Sequence, residues 1–531
     1  MGFSKVILWV VIFASFFYVV SSNYDPDVGW HLQVGKWTLE NNAVPTRDIY
    51  SHTMPGYEWA NHEWLTDAFL AFMSGRGLWD VVVVFFTLLV FLPVMLWIIR
   101  AQSWFTLWVV FFISTRLWGF IGVRPQIISF FFFFLLYELL SAVFIKKTFR
   151  HGWYAIACPA LFFVWANLHA GFLGGLLLVL TFTCVEAFNN KYRALRGARG
   201  ILGDIGIFIL SILVTFINPY GSGLYREIFT IMTSSETARY IFEWRPTILV
   251  YPFFFGLLIS AVFAFRFRFA KQYSLYTLSA VGIFLLTFIK SVRMVPIFFV
   301  LFIPFLNEGW MFLRSEMQRF PVDARERLQR FSRRACVAVP LVLSLYGMYS
   351  LFGGSVWFLK QEPVFSCCPD AAVEFLKKEA ANGKDIILLN DYGWGGYLIY
   401  NAPQFKVFID GRMPHWVEAD GNSAMRDYIA LFFPGSEDER ARTSEILEKR
   451  GVTAVLIRTK HAPQPSPTER IMLALLPKKA LTAMRESNTV QSAAHFLVGD
   501  TKAVPDLTTF LLENGWDIAY SDDMATVLLK D

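Results

Sequence analysis

Two short stretches near the start of the chain hold residue types able to do chemistry. Asp25-Pro26-Asp27 sets two carboxylates two residues apart, across a proline that stiffens the turn. In an extended segment such carboxylates point the same way. That suits a divalent cation, Mg or Mn, held through oxygen ligands, or a base beside a partner that tunes its charge. The same residues would also serve as the N-terminal cap of a helix starting near Trp30. Further on, Asn61-His62-Glu63-Trp64-Leu65 offers an imidazole and a carboxylate as base or ligand, or else an Asn61 cap with exposed His and Glu behind it. Position 66 is Thr66, so the second His of a zinc-protease helix is missing and a zincin is excluded. His31 lies between the two stretches, in Trp30-His31-Leu32.

These groups sit beside an apolar opening, Phe3 to Val20, where charge is costly and marks function by default. The chain is 55% hydrophobic and 18% aromatic, with 17% charged residues and a mean hydropathy of +0.45. A soluble domain carries about 25% charged residues. Runs such as Trp79 to Ile99 and Gln126 to Ile145 are long enough to span a bilayer. A polytopic α-helical membrane protein follows. The opening run lacks a small-x-small cleavage site before Asn23 and reads as a retained first span. The net charge of +6 comes from Lys and Arg in short loops between apolar runs, the pattern of cytoplasmic loops, so no nucleic-acid partner is expected. Five cysteines make no disulfide framework; Cys158 and Cys184 read as core residues, and the adjacent Cys367 and Cys368 as free thiols.

Taking each apolar run as one span predicts about eleven transmembrane helices, near 4–22, 79–99, 103–122, 126–145, 153–168, 171–188, 201–217, 247–265, 273–290, 294–307 and 335–353. With the N-terminus cytoplasmic, the loops 146–150, 191–199, 266–271 and 314–334 fall inside, and all are basic. The first loop, 23–77, is then extracytoplasmic. Within it, Trp30 to Asn41 and Leu65 to Met73 read as helices lying in the membrane interface. The polar residues at the outer span ends then share one depth: Arg124, Gln126, Asn167, His169, Asn218, Tyr220, Arg245, Lys290 and Arg293. They would ring a cavity under the first loop, or snorkel singly to headgroups.

The composition changes after the last span. A membrane domain over 1–355 gives way to a C-terminal α/β domain over 360–531, of a size usual for one domain. Helices are expected at 370–381, 437–449 and 507–514, and strands at 385–389, 406–409, 452–457, 516–520 and 525–529. An odd number of spans places this domain outside. The loop Asn390-Asp391-Tyr392-Gly393-Trp394 follows a strand, with glycine for close approach and aromatic faces for stacking a sugar or peptide, and Asp410-Gly411-Arg412 follows the next. The glycines could equally serve helix–strand packing. There is no Walker A, G-x-G-x-x-G or G-x-S-x-G motif, so nucleotide-driven transport and serine hydrolysis lose support.

A first span, a long outer loop with an Asp-x-Asp-type motif, many helices and an outer C-terminal domain together resemble the C-type (GT-C) integral-membrane glycosyltransferases. Asp25-Pro26-Asp27 through His31, His62-Glu63-Trp64-Leu65, Arg124-Pro125-Gln126, Asn167-Leu168-His169-Ala170-Gly171, Asn218-Pro219-Tyr220-Gly221 and Asp410-Gly411-Arg412 resemble, over nearly the whole chain, a bacterial set of polytopic membrane proteins close to that superfamily. The resemblance implies transfer of a sugar from a polyprenyl-phosphate carrier to a glycan, lipid or protein acceptor at the outer face of a bacterial inner membrane. Asp25 or Asp27 would be base or metal ligand, and Arg124, Arg245 or Arg293 would neutralise the lipid phosphate, a task suited to guanidinium. Asp391-Tyr392-Gly393 is similar to part of the Trp-Trp-Asp-Tyr-Gly motif of oligosaccharyltransferases, with Leu389 and Asn390 in place of the tryptophans. Glu236 and Glu243 are the available second metal carboxylates. Two other classes stay open. One is a lipid-linked saccharide flippase using Glu138, Glu186, Asp204 and Arg116, and the other a non-catalytic envelope assembly factor.

Overall fold

The computed structural model describes residues 3–22, 25–101, 120–188, 190–247, 273–317, 368–434, 436–459 and 506–530. The chain forms two compact units, Met1–Arg47 with Glu58–Phe365, and Asp48–Tyr57 with Ser366–Asp531. A short piece of the first loop therefore belongs with the C-terminal unit.

The first unit is helical. Phe3–Ser22, Trp79–Arg100, Pro125–Leu140 with a π-helical tail to Ile145, His151–Leu168, Phe172–Phe188, Asn190–Val214, Leu275–Lys290 and Val295–Met317 cover eight of the eleven expected apolar runs. The other three, 103–122, 247–265 and 335–353, lie almost wholly outside the described residues. Among the described residues, three stretches are long and apolar enough to cross a membrane: Trp79–Arg100, Pro125–Ile145 and Val292–Trp310. Phe133, Phe134, Phe162, Trp165, Phe172 and Phe182 are fully buried between helices, where packing contacts hold apolar helices together once lipid replaces water.

The first loop folds into two packed helices, Val28–Asn41 and Trp64–Ser74. The first ends on Asn42, at φ 49°, in the left-handed conformation that asparagine tolerates. Their contact has no room for a side chain at Gly35, where a Cβ would lie 2.0 Å from the Asp67 carbonyl oxygen. This close approach sets one helix turn below His31 against the start of the second helix. The two stretches that could do chemistry are thereby brought together.

Among the described residues, the second unit carries a four-stranded mixed sheet. Strands β1 (Leu388–Asn390), β2 (Ala454–Arg458), β3 (Trp516–Ser521) and β4 (Ala525–Lys530) lie in the order β1-β2-β4-β3. The pairing of β1 with β2 is parallel, and the other two pairings are antiparallel. Residues 437–449, expected as one helix, form two, Glu437–Ala441 and Thr443–Lys449. Residues 406–409 make no strand of the sheet. Val407 instead bridges Ser51 in parallel, its N–H donating to Tyr50 O at 3.0 Å and its carbonyl accepting from His52 N–H at 3.1 Å. Thr53 Oγ1 donates to Phe408 O at 2.6 Å, and Tyr57 stacks on Trp416 at 4.8 Å. The extended segment thus pairs with a partner from the first loop, which no local pattern announces.

Candidate active site

The site is built where helices of the first unit begin and end. Asp25 follows the first helix, and its Oδ1 accepts the Asp27 N–H at 3.0 Å. This turn replaces the extended segment expected for Asp25-Pro26-Asp27, because Asp27 already opens the Val28–Asn41 helix. The two carboxylates are consequently not a parallel pair. Asp27 sits at the cap position, but its side chain makes no capping hydrogen bond. It lies close enough to His31 and Arg124 to favour their charged forms.

Arg124, just before the Pro125–Leu140 helix, places Nε 2.8 Å from Asp25 Oδ2, and its Nη1 donates to Glu243 Oε1 at 3.1 Å. The Asp25 contact is a charge pair whose N–H is not aligned on the oxygen. Glu243 Oε2 is 4.0 Å from Arg293 Nη1, and the Arg293 guanidinium lies 5.4 Å from the Trp244 ring centroid. The turns carrying these residues are tied together by two bonds, Ser291 Oγ to Glu243 O at 3.0 Å and Val292 N–H to Arg245 O at 3.0 Å. An alternating row of charges results: Asp25, Arg124, Glu243, Arg293.

Beside it lies Glu63, the residue that opens the Trp64–Ser74 helix. Three imidazoles surround its buried carboxylate, with Nε2 of His169, His62 and His31 at 3.2, 3.5 and 3.6 Å. On its other nitrogen, His31 Nδ1 is 2.7 Å from Asp67 Oδ1, while Asn61 Nδ2 donates to Asp67 Oδ2 at 2.7 Å. Burial disfavours the His31 imidazolium, yet Asp67 and Glu63 outweigh it and push its pKa up to about 9. Burial likewise works against the Glu63 carboxylate, but His62 and the other imidazoles hold it well below the usual range. His169 goes the other way. Burial, only partly opposed by Glu63, lowers it to about 3, so it is neutral. Its Nδ1 accepts the Gly171 N–H at 3.0 Å and lies 2.6 Å from Ser129 Oγ, which accepts from Trp165 Nε1 at 2.7 Å. The proton is therefore on Nε2, facing Glu63.

The remaining expected residues of this unit take framing roles. Asn167 accepts from Trp64 Nε1 at 3.1 Å and donates to Ile217 O at 3.0 Å. Asn218 shapes the following turn by accepting the Tyr220 N–H at 2.8 Å, and Tyr220 donates its hydroxyl to Pro45 O at 2.9 Å. Gln126 is half-buried, with Oε1 turned inward. Arg245 is half-buried beside the Arg293 turn. Lys290 is exposed.

In the second unit, Asn390 is buried and braces the 408–409 segment, donating to Ile409 O at 2.9 Å and accepting the Phe408 N–H at 2.8 Å. Asp410 and Arg412 are buried too. Arg412 Nη2 lies 2.6 Å from Asp410 Oδ2 and 3.0 Å from Asp48 Oδ1. Trp394 is buried under the Arg458 guanidinium, at 5.0 Å, while Asp391 and Tyr392 stay half-buried at the surface.

The expected divalent cation does not fit Asp25 and Asp27 as they stand. Asp25 spends one oxygen on a backbone N–H and the other on a guanidinium. His31, Glu63 and Asp67 offer ligand atoms within 4.8 Å of one another. Yet 2.7 Å between His31 and Asp67 is a hydrogen-bond length, shorter than the separation of about 3.3 Å expected between two ligand atoms on one tetrahedral zinc.

Sequence reasoning passed over Asp67 and Ser129. Asp67 is the lone acid in an apolar helix, four residues after Glu63, and that spacing puts both on one face. Ser129 is the lone hydroxyl before a run of phenylalanines, one turn into its helix.

No protein-family model and no curated protein matches the sequence. Solved structures do match. The apo oligosaccharyltransferase of Archaeoglobus fulgidus is similar over 85% of this chain and 69% of its own, with a TM-score of 0.51 at 11% identity. The likeness is one of fold. The described part of the first unit is helical, with three stretches able to cross a membrane, on a fold shared with that enzyme.

Proposed function

We propose that the chain is a membrane glycosyltransferase. It transfers a sugar from a polyprenyl-phosphate-linked donor to a glycan, lipid or protein acceptor on the extracytoplasmic face of a bacterial inner membrane. In this reading the N-terminus is cytoplasmic, about eleven spans are threaded, and the α/β domain stands outside. One observation carries the reading. Asp25 of the first loop meets Arg124, and Arg124 and Arg293 both meet Glu243, on a fold shared with an oligosaccharyltransferase.

The chemistry follows from these residues. The acceptor oxygen attacks the anomeric carbon, the bond from that carbon to the phosphate oxygen breaks, and the acceptor proton passes to a carboxylate. Asp27, half-buried and making no helix cap, is assigned as that base. The departing phosphate gains negative charge, which a guanidinium stabilises. Arg293 is assigned to it, since its only described acid partner, Glu243, is 4.0 Å away. His62, 21% exposed and backed by Glu63, borders the acceptor side.

The test uses membranes holding wild type or Asp27→Ala, supplied with lipid-linked sugar extracts and read by mass spectrometry for released polyprenyl phosphate and a new glycosidic product. Turnover by wild type, reduced by about 10²–10⁴ in a folded variant, is expected for loss of a general base. Equal turnover in both would remove Asp27 from the mechanism.

A further inference from the structure

One carboxylate that the Asp-x-Asp-type loop would offer to a metal, Asp25, already holds a cation. Asp25 and Glu243 come from positions far apart in sequence, and Arg124 lies between them, 2.8 Å from one and 3.1 Å from the other. The Arg124 side chain is 14% exposed and that of Asp25 8%, so solvent screens the group little. A guanidinium cannot be deprotonated here, and its fixed fork reaches two carboxylates at once. Asp25 has no oxygen left over, because Oδ1 accepts the Asp27 N–H at 3.0 Å. A divalent ion entering this place would have to expel Arg124 and leave its charge buried beside its own.

We propose that Arg124 is a built-in cation that takes the place of a divalent metal between Asp25 and Glu243, making this carboxylate site independent of metal. The side chain does two things an ion would do. It pairs with both acids, offsetting one of their two negative charges, and it fixes the first loop to the turn that carries Glu243 and, through Ser291 and Val292, Arg293. It cannot do a third, since it has no vacant coordination position for a substrate oxygen. Neutralisation of a bound anion therefore falls to Arg293 and not to a metal. The inference concerns the cation between the two acids and stands whether or not the chain transfers sugar.

Manganese binding tests it directly, by electron paramagnetic resonance on the purified full chain in detergent. Comparison with Asp25→Asn removes any ion bound elsewhere, at the His31–Glu63–Asp67 group for example. Wild type and Asp25→Asn are expected to bind Mn²⁺ alike. Arg124→Ala is expected to gain one site, at least tenfold tighter than any in wild type and lost again in Arg124→Ala with Asp25→Asn. An Asp25-dependent Mn²⁺ site in wild type would overturn the proposal. So would a folded Arg124→Ala that gains none. Should Arg124→Ala not fold, wild type against Glu243→Gln decides in the same way: equal binding upholds the built-in cation, and a site lost in the variant refutes it.

Discussion

Aspartate meets arginine in both units of the molecule, with opposite consequences. In the α/β unit, Arg412 is 2% exposed and sits between Asp410 and Asp48, both wholly buried, with the Tyr50 and Trp416 rings about it at 5.1 and 5.3 Å. In the helical unit, Arg124 is 14% exposed, and Glu243 and Arg293 are each 27% exposed. The first cluster joins a loop segment to a domain and keeps water out. The second leaves charges at the edge of access, with contacts of 2.8 to 4.0 Å, the longest of which a ligand could rearrange. Residue type alone does not separate structure from chemistry; burial and the tightness of the pairing do.

The contrast is broken most strongly by Arg412→Ala. Two buried carboxylates would lose their shared cation, at a cost of about 3–5 kcal/mol. Thermal unfolding of the full chain and proteolysis within 48–57 should both register it. A variant as stable as wild type would show the cluster to be dispensable. A smaller effect is expected at His31. Its pKa, raised above the ordinary 6.5 to about 9, makes its charged form a source of stability that is full below pH 6.5 and lost as pH rises through 9. The melting temperature should fall across that window in wild type and stay flatter in His31→Asn, which should itself be about 1.5–3 kcal/mol less stable near neutral pH. An identical slope in both proteins would assign the titration elsewhere. Trp64→Phe removes the N–H given to Asn167 together with part of the half-buried ring, and the lost hydrogen bond alone should cost about 0.5–1.5 kcal/mol, measurable as a small drop in melting temperature.

Much of the helical unit was legible because its signal is local. An apolar run such as 79–99, with Asp80 its one charged residue, has few alternatives to a helix in lipid, and Trp79–Arg100 is one. The Val28–Asn41 helix was equally readable from Trp30, Val34 and Trp37 at helical spacing, with Asn42 to stop it. The place of 406–409 was not, since it was expected as a strand of the sheet and alternation cannot say that its partner is residue 51. Asp25 and Asp27 were singled out as candidates for chemistry but misjudged in geometry, since one starts a turn and the other a helix. Asp410-Gly411-Arg412 looked like a binding loop at a strand end. Only the fold reveals that Asp48 arrives to complete it. Local periodicity survives in a sequence, whereas long-range charge pairing leaves no periodic trace.

The most direct measurement of the central claim sets one variant from each unit side by side. Purified full-length wild type, Asp27→Asn and Asp391→Asn would be given a polyprenyl-phosphate-linked sugar with an acceptor, and released polyprenyl phosphate counted per turnover. The account predicts a loss of about 10²–10⁴ in Asp27→Asn, as for a missing base, and near wild-type turnover in Asp391→Asn. Full turnover by Asp27→Asn with collapse in Asp391→Asn would place the chemistry in the α/β unit and contradict the account.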